Sequence, residues 1–151
     1  MTRRSSDPLD LGQQLCFAIY SAAHAFNRAY KPLLEELNLT YPQYLVMLVL
    51  WEEDDQTVGR IGNRLLLDSS TLTPLLKRLE AAGYVRRERD RADERQVRIR
   101  LTAAGRALKD EARGIPLAIA GAAGRTAAEL QRLKADVLAL RDRLNAAELA
   151  A

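Results

Sequence analysis

The spacing of the apolar residues changes at Gly83, and this change constrains the fold more than any other feature of the chain. Before it, leucines recur every three or four residues over residues 72–79, which predicts an amphipathic helix with its cap near Asp68 and its end at Gly83. After it, residues 84–89 and 96–101 alternate in character with period two around a polar turn. This alternation predicts a β-hairpin.

Helical patterns surround this pair of elements. A long amphipathic helix is predicted to begin near Leu9 and to run to Leu34, and a final helical region spans residues 103–147. Three threonines are placed as N-caps of helices, namely Thr40, Thr57 and Thr102. Pro42 lies in the first turn after Thr40, where its missing N–H costs little. The final region is expected to break around Gly114, Pro116, Gly121 and Gly124.

Thr57 begins one short helix, and a second short helix, over residues 72–79, precedes the basic hairpin. Two short helices followed by a basic hairpin are the elements of a winged helix-turn-helix, so the predicted fold class is mainly α (α+β). We expect residues 1–8 to be a flexible arm and residues 9–151 to form one domain, in which the winged helix-turn-helix spans about 40–102. The flanking helices would span about 9–36 and 103–148.

In a winged helix the second short helix enters the major groove of DNA, and this helix carries suitable residues. Small hydroxyl side chains can approach base edges and phosphates, and cations follow one to two turns later. The predicted DNA-contacting residues of this helix are Ser69, Ser70, Thr71, Thr73, Lys77 and Arg78. Pro74 is expected in its first turn.

The tip of the hairpin would be the wing. Its arginines, Arg89, Arg91 and Arg95, suit the narrow, electronegative minor groove. Asp93 lies two residues before Arg95 and can orient its guanidinium through a charge-assisted hydrogen bond. Taken alone, the hairpin is better explained as an exposed element whose mixed charge serves solubility. Together with the preceding pair of helices, it favours DNA binding.

Composition excludes several other classes of protein. The 151-residue chain has a formal net charge of +3, one cysteine and one histidine. A single cysteine rules out an intramolecular disulfide framework, and the polar start lacks the apolar core of a signal peptide, so we expect a cytoplasmic protein. One histidine makes a histidine-rich metal site or a hydrolytic triad implausible, and we expect neither a metal nor a cofactor.

Particular segments resemble a known family. Residues 65–79, LLLDSSTLTPLLKRL, together with Asp93-Glu94-Arg95, resemble the MarR family of bacterial regulators. Residues 14–21, QLCFAIYS, and residues 39–47, LTYPQYLVM, are similar to its organic-hydroperoxide-sensing branch, OhrR. The resemblance implies an obligate homodimer whose first and last helices interlock, with each subunit reading half of an inverted repeat in double-stranded DNA.

The same resemblance implies that an organic hydroperoxide oxidises Cys16, releases the DNA and derepresses a gene for a detoxifying thiol peroxidase. The thiolate is the form that attacks a peroxide, and Cys16 is expected in the second turn of the first helix, where exposed N–H groups still favour negative charge. The family holds this thiolate with tyrosine hydroxyls, and the matching residues are Tyr30 and Tyr41 of the other subunit, with Tyr20 one turn after Cys16.

Other readings of Cys16 stay open. A lone cysteine on an apolar helix face is often a small buried hydrophobe, and tyrosines at helical spacing are often core. A MarR-type repressor can also respond to a small aromatic ligand near the dimer seam, with Cys16 structural. A thiol peroxidase with Cys16 as nucleophile would lack a resolving cysteine and leave the hairpin arginines unexplained, so we do not expect an enzyme. Part of the family carries a second cysteine, which is absent here, so lasting inactivation would need a small-molecule thiol or further oxidation.

Overall fold

The computed structural model describes residues 7–147. Its helices are α1 (Leu15–Glu35), α2 (Tyr41–Glu52), α3 (Val58–Leu65), α4 (Ser69–Ala81), α5 (Ala103–Ala112), α6 (Ile115–Ala123) and α7 (Ala127–Ala146). Its strands are β1 (Gln56–Thr57), β2 (Val85–Arg89) and β3 (Val97–Leu101). The chain divides into two compact units after Arg113. Residues 1–6 of the predicted arm and residue 148 of the predicted last helix lie outside the described residues.

Side-chain caps decide where most of the helices begin. The hydroxyls of Thr40, Thr57 and Thr102 each accept a hydrogen bond from the backbone N–H three residues later, as the sequence predicts. The side chain of Gln43 also accepts from the backbone N–H of Thr40, which completes a capping box at the start of α2. Four N–H groups of each helix start lack an intrahelical partner, so these caps fix the boundaries.

The prediction for the start of α1 is wrong. Gln14 has an extended backbone, with φ −88° and ψ 111°, and it separates a 3₁₀ turn at Leu11–Gln13 from α1. The Gln14 side chain explains the break, because its Nε2 donates to the backbone carbonyls of Pro8 at 2.6 Å and Asp10 at 2.9 Å. Cys16 is therefore the second residue of α1, in the first turn rather than the second.

The hairpin forms as predicted, and a third strand joins it. β2 and β3 are antiparallel, in a register that runs from Val85 opposite Leu101 to Arg89 opposite Val97. β1 pairs with the other edge of β3 and places Gln56 opposite Ile99. This two-residue strand is not predicted from the sequence.

The core of the first unit lies between α2, α3, α4 and the sheet. Its most deeply buried side chains come from all of these elements: Val46, Met47, Leu50, Ile61, Leu72, Leu76, Leu79, Val85 and Ile99. Most of α1 differs, because its apolar residues before Leu34 are exposed or only partly covered. α1 continues through Pro32 to Glu35.

The second unit contains α6 and α7. The predicted break in the final helical region is confirmed, since α5 ends at Ala112 and a left-handed Gly124 ends α6. Along α7 no residue is buried in the part of the chain that the structure describes, and Leu133, Val137 and Leu144 are exposed. Within residues 7–147 no helix has the length and apolar character needed to cross a bilayer.

Candidate DNA interface and redox site

The predicted recognition helix is α4, and its two faces differ sharply. Leu72, Leu75, Leu76 and Leu79 are buried in the core, which leaves the polar face outward. Ser69, Ser70, Thr71, Lys77 and Arg78 are exposed, and Thr73 is half-buried. Within residues 7–147 neither Lys77 nor Arg78 forms an ion pair, so both cations are available to a polyanion.

Asp68 sets the start of α4. Its Oδ1 accepts from the Ser70 hydroxyl at 2.6 Å and from the Thr71 backbone N–H at 2.8 Å. The Ser70 hydroxyl, and then the Thr71 N–H, lower the pKa of Asp68 below its ordinary value. Ser70 therefore helps to cap the helix, besides being exposed on the side expected to meet DNA.

The prediction that Pro74 lies in the first turn of α4 is wrong. Because Asp68 is the N-cap, Ser69 is the first helical residue and Pro74 the sixth. A proline at this depth has no N–H to donate to the carbonyl four residues earlier, that of Ser70.

The wing tip, residues 89–95, is a turn organised by Asp90. Its Oδ1 accepts from the backbone N–H groups of Ala92 at 2.7 Å and Asp93 at 3.1 Å, and its own N–H donates to the carbonyl of Gln96 at 2.8 Å. Arg89 points back into the turn, because its guanidinium donates to the carbonyl of Glu94 at 2.9 Å. Arg89 is thus partly committed to shaping the tip.

Arg95 and Arg91 project from this tip. The Asp93 carboxylate accepts from Nε of Arg95 at 3.0 Å and from its Nη2 at 3.3 Å, the contact that the sequence predicts. The same contact lowers the pKa of Asp93. The Arg95 side chain is nevertheless 91% exposed, so it is oriented without being covered. Arg91 is exposed and has no ion pair among the described residues.

Sequence reasoning missed the groups that attach the wing to the rest of the winged unit. Arg98 donates from Nε to Asp55 Oδ1 at 2.7 Å, from Nη2 to the Asp55 carbonyl at 2.8 Å and from Nη1 to Asp90 Oδ2 at 3.0 Å. We call Asp55, Asp90 and Arg98 the wing network. Asp55 and Arg98 are 43 residues apart, and no local pattern in the chain signals that they meet.

A second ion pair links the hairpin to α4. Glu80 accepts from the Arg87 backbone N–H at 2.8 Å and from the Arg87 guanidinium at 3.0 and 3.1 Å. The Arg87 backbone N–H and then its side chain lower the pKa of Glu80. Between the hairpin and α4 lies an open cleft of about 390 Å³, lined by Thr57, Ser69, Thr73 and Arg95 among others. The Glu80–Arg87 contact therefore holds the hairpin against α4, and the cleft separates α4 from the wing tip.

Cys16 is exposed in the first turn of α1. Its neighbour one turn later, Tyr20, is also exposed, and the Tyr20 ring packs edge-on against His24 at 4.5 Å between centroids. Since backbone N–H groups in a first helical turn lack intrahelical acceptors, they favour negative charge nearby.

The other predicted sensor residues meet each other. Tyr30 of α1 and Tyr41 of α2 have ring centroids 4.9 Å apart, and Tyr44 joins them at 5.8 Å from Tyr30. Burial, and then the proximity of Tyr41 and Tyr44, raise the pKa of Tyr30 to about 12. Burial also raises the pKa of Tyr41 and of Tyr44. The three hydroxyls therefore stay neutral at physiological pH and can act as hydrogen-bond donors.

Within one chain the sulfur does not reach this tyrosine cluster. Cys16 and Tyr30 lie on the same helix, α1, and their separation of 14 positions corresponds to a rise of about 21 Å. Tyr20 is the predicted sensor residue that lies near Cys16 in the same chain. Sequence reasoning did not include Tyr44, although its position three residues after Tyr41 on α2 was a usable signal.

Comparisons with known proteins agree with this architecture. The family described as Transcriptional regulator SarA/Rot matches residues 28–112. The HTH-type transcriptional regulator TtmR of Methylorubrum extorquens (strain PA1) is 58% identical over 140 residues, which cover 93% of this chain and 72% of TtmR. The organic hydroperoxide resistance transcriptional regulator of Bacillus subtilis (strain 168) is 45% identical over 139 residues, which cover 92% of this chain and 95% of that protein.

A solved relative shares the fold closely. The structure of reduced AbfR bound to DNA superposes with a TM-score of 0.80 at 40% identity, covering 89% of this chain and 92% of that chain. AbfR is a protein of Staphylococcus epidermidis, and a disulfide-formed structure of it superposes with a TM-score of 0.62, covering 89% of this chain and 90% of that chain. The winged helix-turn-helix prediction is confirmed. The chain thus belongs to the MarR family of DNA-binding transcriptional regulators, in the branch that includes the organic hydroperoxide resistance regulator of Bacillus subtilis.

Proposed function

We propose that the protein is a homodimeric repressor that releases its operator when an organic hydroperoxide oxidises Cys16. The observation that carries this proposal is the separation of the sensor residues. Cys16 lies in an exposed helix start about 21 Å from Tyr30, as the helical rise gives, yet Tyr30 and Tyr41 form a cluster of neutral hydroxyls. A second copy of the chain, laid antiparallel along α1, brings the two parts together.

The exposed apolar residues support such a dimer. Leu15, Phe17, Ile19 and Phe26 are between 38% and 61% exposed on α1, and α7 exposes its own set of leucines and valine. Single exposed apolar residues are ordinary, but a run of them along a helix is typical of an interface between proteins. In the proposed dimer a partner covers both faces.

The proposed DNA contacts lie on two elements, α4 and the wing tip. α4 enters the major groove with Ser69, Ser70, Thr71, Thr73, Lys77 and Arg78, and the wing arginines Arg89, Arg91 and Arg95 follow the minor groove or the backbone. Asp93 supports the binding by orienting Arg95. The relative AbfR has been solved bound to DNA, which supports a DNA-binding role for the shared fold. The two-fold symmetry of the proposed dimer would match an inverted-repeat operator.

The proposed chemistry is a single displacement on the peroxide. The Cys16 thiolate attacks the terminal, hydrogen-bearing oxygen of the peroxide, so that an S–O bond forms as the O–O bond breaks. The sulfur becomes a sulfenic acid, and the other oxygen leaves as an alkoxide that takes a proton from solvent to give the alcohol. The chain contains no second cysteine, so a disulfide would have to join two chains through Cys16 or use an external thiol. A neutral hydroxyl from Tyr30 or Tyr41 of the partner stabilises the thiolate by donating a hydrogen bond.

One observation favours a second candidate, a repressor that responds to a small aromatic ligand. A cleft of about 500 Å³ lies beside Tyr41, lined by Asn27, Lys31, Leu34 and Leu39 among others. Its lining is mostly apolar and also carries the opposite charges of Lys31 and Glu35, which suits a small aromatic ligand. In that case Cys16 would be inert.

A gel shift on the DNA upstream of the chain's own gene separates the two candidates. We expect cumene hydroperoxide to release wild-type protein from this duplex, while the Cys16→Ser variant stays bound under the same treatment. Salicylate is added in a parallel lane as the probe for the cleft. Release of Cys16→Ser by the peroxide would contradict the sensor role, and release by salicylate alone would favour the second candidate.

A further inference from the structure

Arg98 connects the body of the winged unit to the wing tip through one guanidinium group. On one side it donates to the carboxylate and to the backbone carbonyl of Asp55, at 2.7 and 2.8 Å, and on the other side to Asp90 at 3.0 Å. A planar guanidinium can serve several acceptors at fixed angles, which an ammonium group cannot. The geometry therefore depends on arginine and not only on positive charge.

Asp90 extends this connection into the turn. Its Oδ2 accepts a hydrogen bond from Arg98, and its Oδ1 accepts hydrogen bonds from the backbone N–H groups of Ala92 and Asp93. One oxygen thus binds Arg98 and the other shapes the turn. Asp93 in turn holds the Arg95 guanidinium at 3.0 and 3.3 Å. An unbroken series of hydrogen bonds thus runs from Asp55 to Arg95.

Arg98 and Asp90 are largely covered, whereas Arg95, the residue that they position, is exposed. The Arg98 and Asp90 side chains are 31% and 14% exposed, whereas the Arg95 side chain is 91% exposed. All three guanidinium nitrogens of Arg98 are already committed within the chain. Arg98 is consequently a poor candidate for a DNA contact of its own, and its contacts act on the conformation of the turn.

We propose that Arg98 is a positioning residue for DNA binding: by joining Asp55 to Asp90 it fixes the wing tip in the conformation in which Arg95 meets the duplex. This inference rests on the proposed DNA contact of Arg95. Without Arg98 the tip keeps its sequence and nearly all its charge, but Arg95 samples orientations that do not reach the groove, and ordering it on DNA then costs conformational entropy.

A double-mutant cycle on the full-length protein tests this. Dissociation constants are measured by fluorescence anisotropy on the operator duplex for wild type, Arg95→Ala, Arg98→Lys and the double variant. Arg98→Lys preserves the net charge, so the general attraction to phosphates is retained. We expect Arg98→Lys to weaken binding on the order of 10-fold in wild type and less than about 2-fold in the Arg95→Ala background, since residues that act through one another are not additive.

The chain offers a matched control on the same strand. Arg100 also pairs with Asp55, at 3.2 Å, but its other partner is Glu88 rather than Asp90. We expect Arg100→Lys to leave the dissociation constant unchanged. If Arg98→Lys fails to fold by circular dichroism, Asp90→Asn replaces it in the cycle, because it removes the charge that Arg98 binds while keeping an oxygen for the turn.

Each remaining outcome decides against a particular statement. Equal losses of affinity from Arg98→Lys in both backgrounds would overturn the positioning role and indicate a general structural effect. An unchanged affinity of Arg98→Lys, with Arg95→Ala weakened, would overturn the inference but leave the wing contact in place. An unchanged affinity of Arg95→Ala itself would remove the proposed wing contact, and the inference with it.

Discussion

Asp55 adopts a left-handed backbone conformation, with φ 59°, which aspartate tolerates better than most residues other than glycine. Its carboxylate lies against Arg98 at 2.7 Å and Arg100 at 3.2 Å. The hydrogen bond from Arg98 is the main reason why the pKa of Asp55 lies below its ordinary value. In the sequence Asp55 lies between two polar residues, Asp54 and Gln56, and this pattern indicates only a turn. Its contacts with Arg98 and Arg100 are visible only in the tertiary structure.

The first prediction concerns Tyr30. Since burial raises its pKa from 10.0 to about 12, the folded state favours the neutral phenol. The resulting stability is complete below pH 10 and is lost as the pH rises through about 12. In a spectrophotometric titration of tyrosinate absorbance we expect a late step near pH 12, which Tyr30→Phe removes. A wild-type titration that is complete by about pH 11 would contradict the burial of Tyr30.

Helix starts show at the level of elements what the sequence can and cannot predict. Thr40, Thr57 and Thr102 are confirmed as caps because a hydroxyl beside an apolar periodic segment is a local signal. The start of α1 was misplaced because Gln14 ends the preceding turn with a side chain that bonds backwards to Pro8 and Asp10. β1 was also missed, because its two residues form a strand only through their pairing with β3, and no local pattern indicates that pairing.

The second prediction concerns the cap that starts α2, the helix that carries Tyr41. Thr40→Ala removes the acceptor for the Gln43 N–H, and replacing such a cap costs about 1 kcal/mol of unfolding free energy. Urea denaturation followed by circular dichroism measures the loss. Thr40→Ser is the control, because it keeps the hydroxyl and should retain most of the stability. Equal losses for the two variants would show that the methyl group, and not the cap, matters.

In the molecule as a whole, the amphipathic character of α1 could be predicted from the helical spacing of its apolar residues, most of which the structure leaves exposed. The meeting of Tyr30 with Tyr41 follows from the packing of α1 on α2, and the family resemblance had already marked both residues. What the sequence could not provide is the wing network, because its members come from separate elements and carry no periodic signal.

The third prediction tests the proposed dimer. Phe26 is 48% exposed on α1, and Phe26→Arg would place an unpaired charge in an interface that excludes water. We expect sedimentation velocity to shift from a species of two chains to one of a single chain, with loss of operator binding. Leu66→Arg is the control, since Leu66 is also exposed but lies in the turn between α3 and α4. A wild-type protein that sediments as a monomer would refute the proposal directly.

The two ends of α2 lie next to the two parts of the molecule that the proposed regulator has to couple. It begins at Tyr41, in the tyrosine cluster, and ends three residues before Asp55, where the wing is fastened. Its twelve residues span about 18 Å as a single unbroken rod. In the proposed regulator, an oxidised Cys16 that tilts α2 at its Tyr41 end would displace the other end of this stiff helix, which lies next to Asp55 and the proposed DNA-contacting wing.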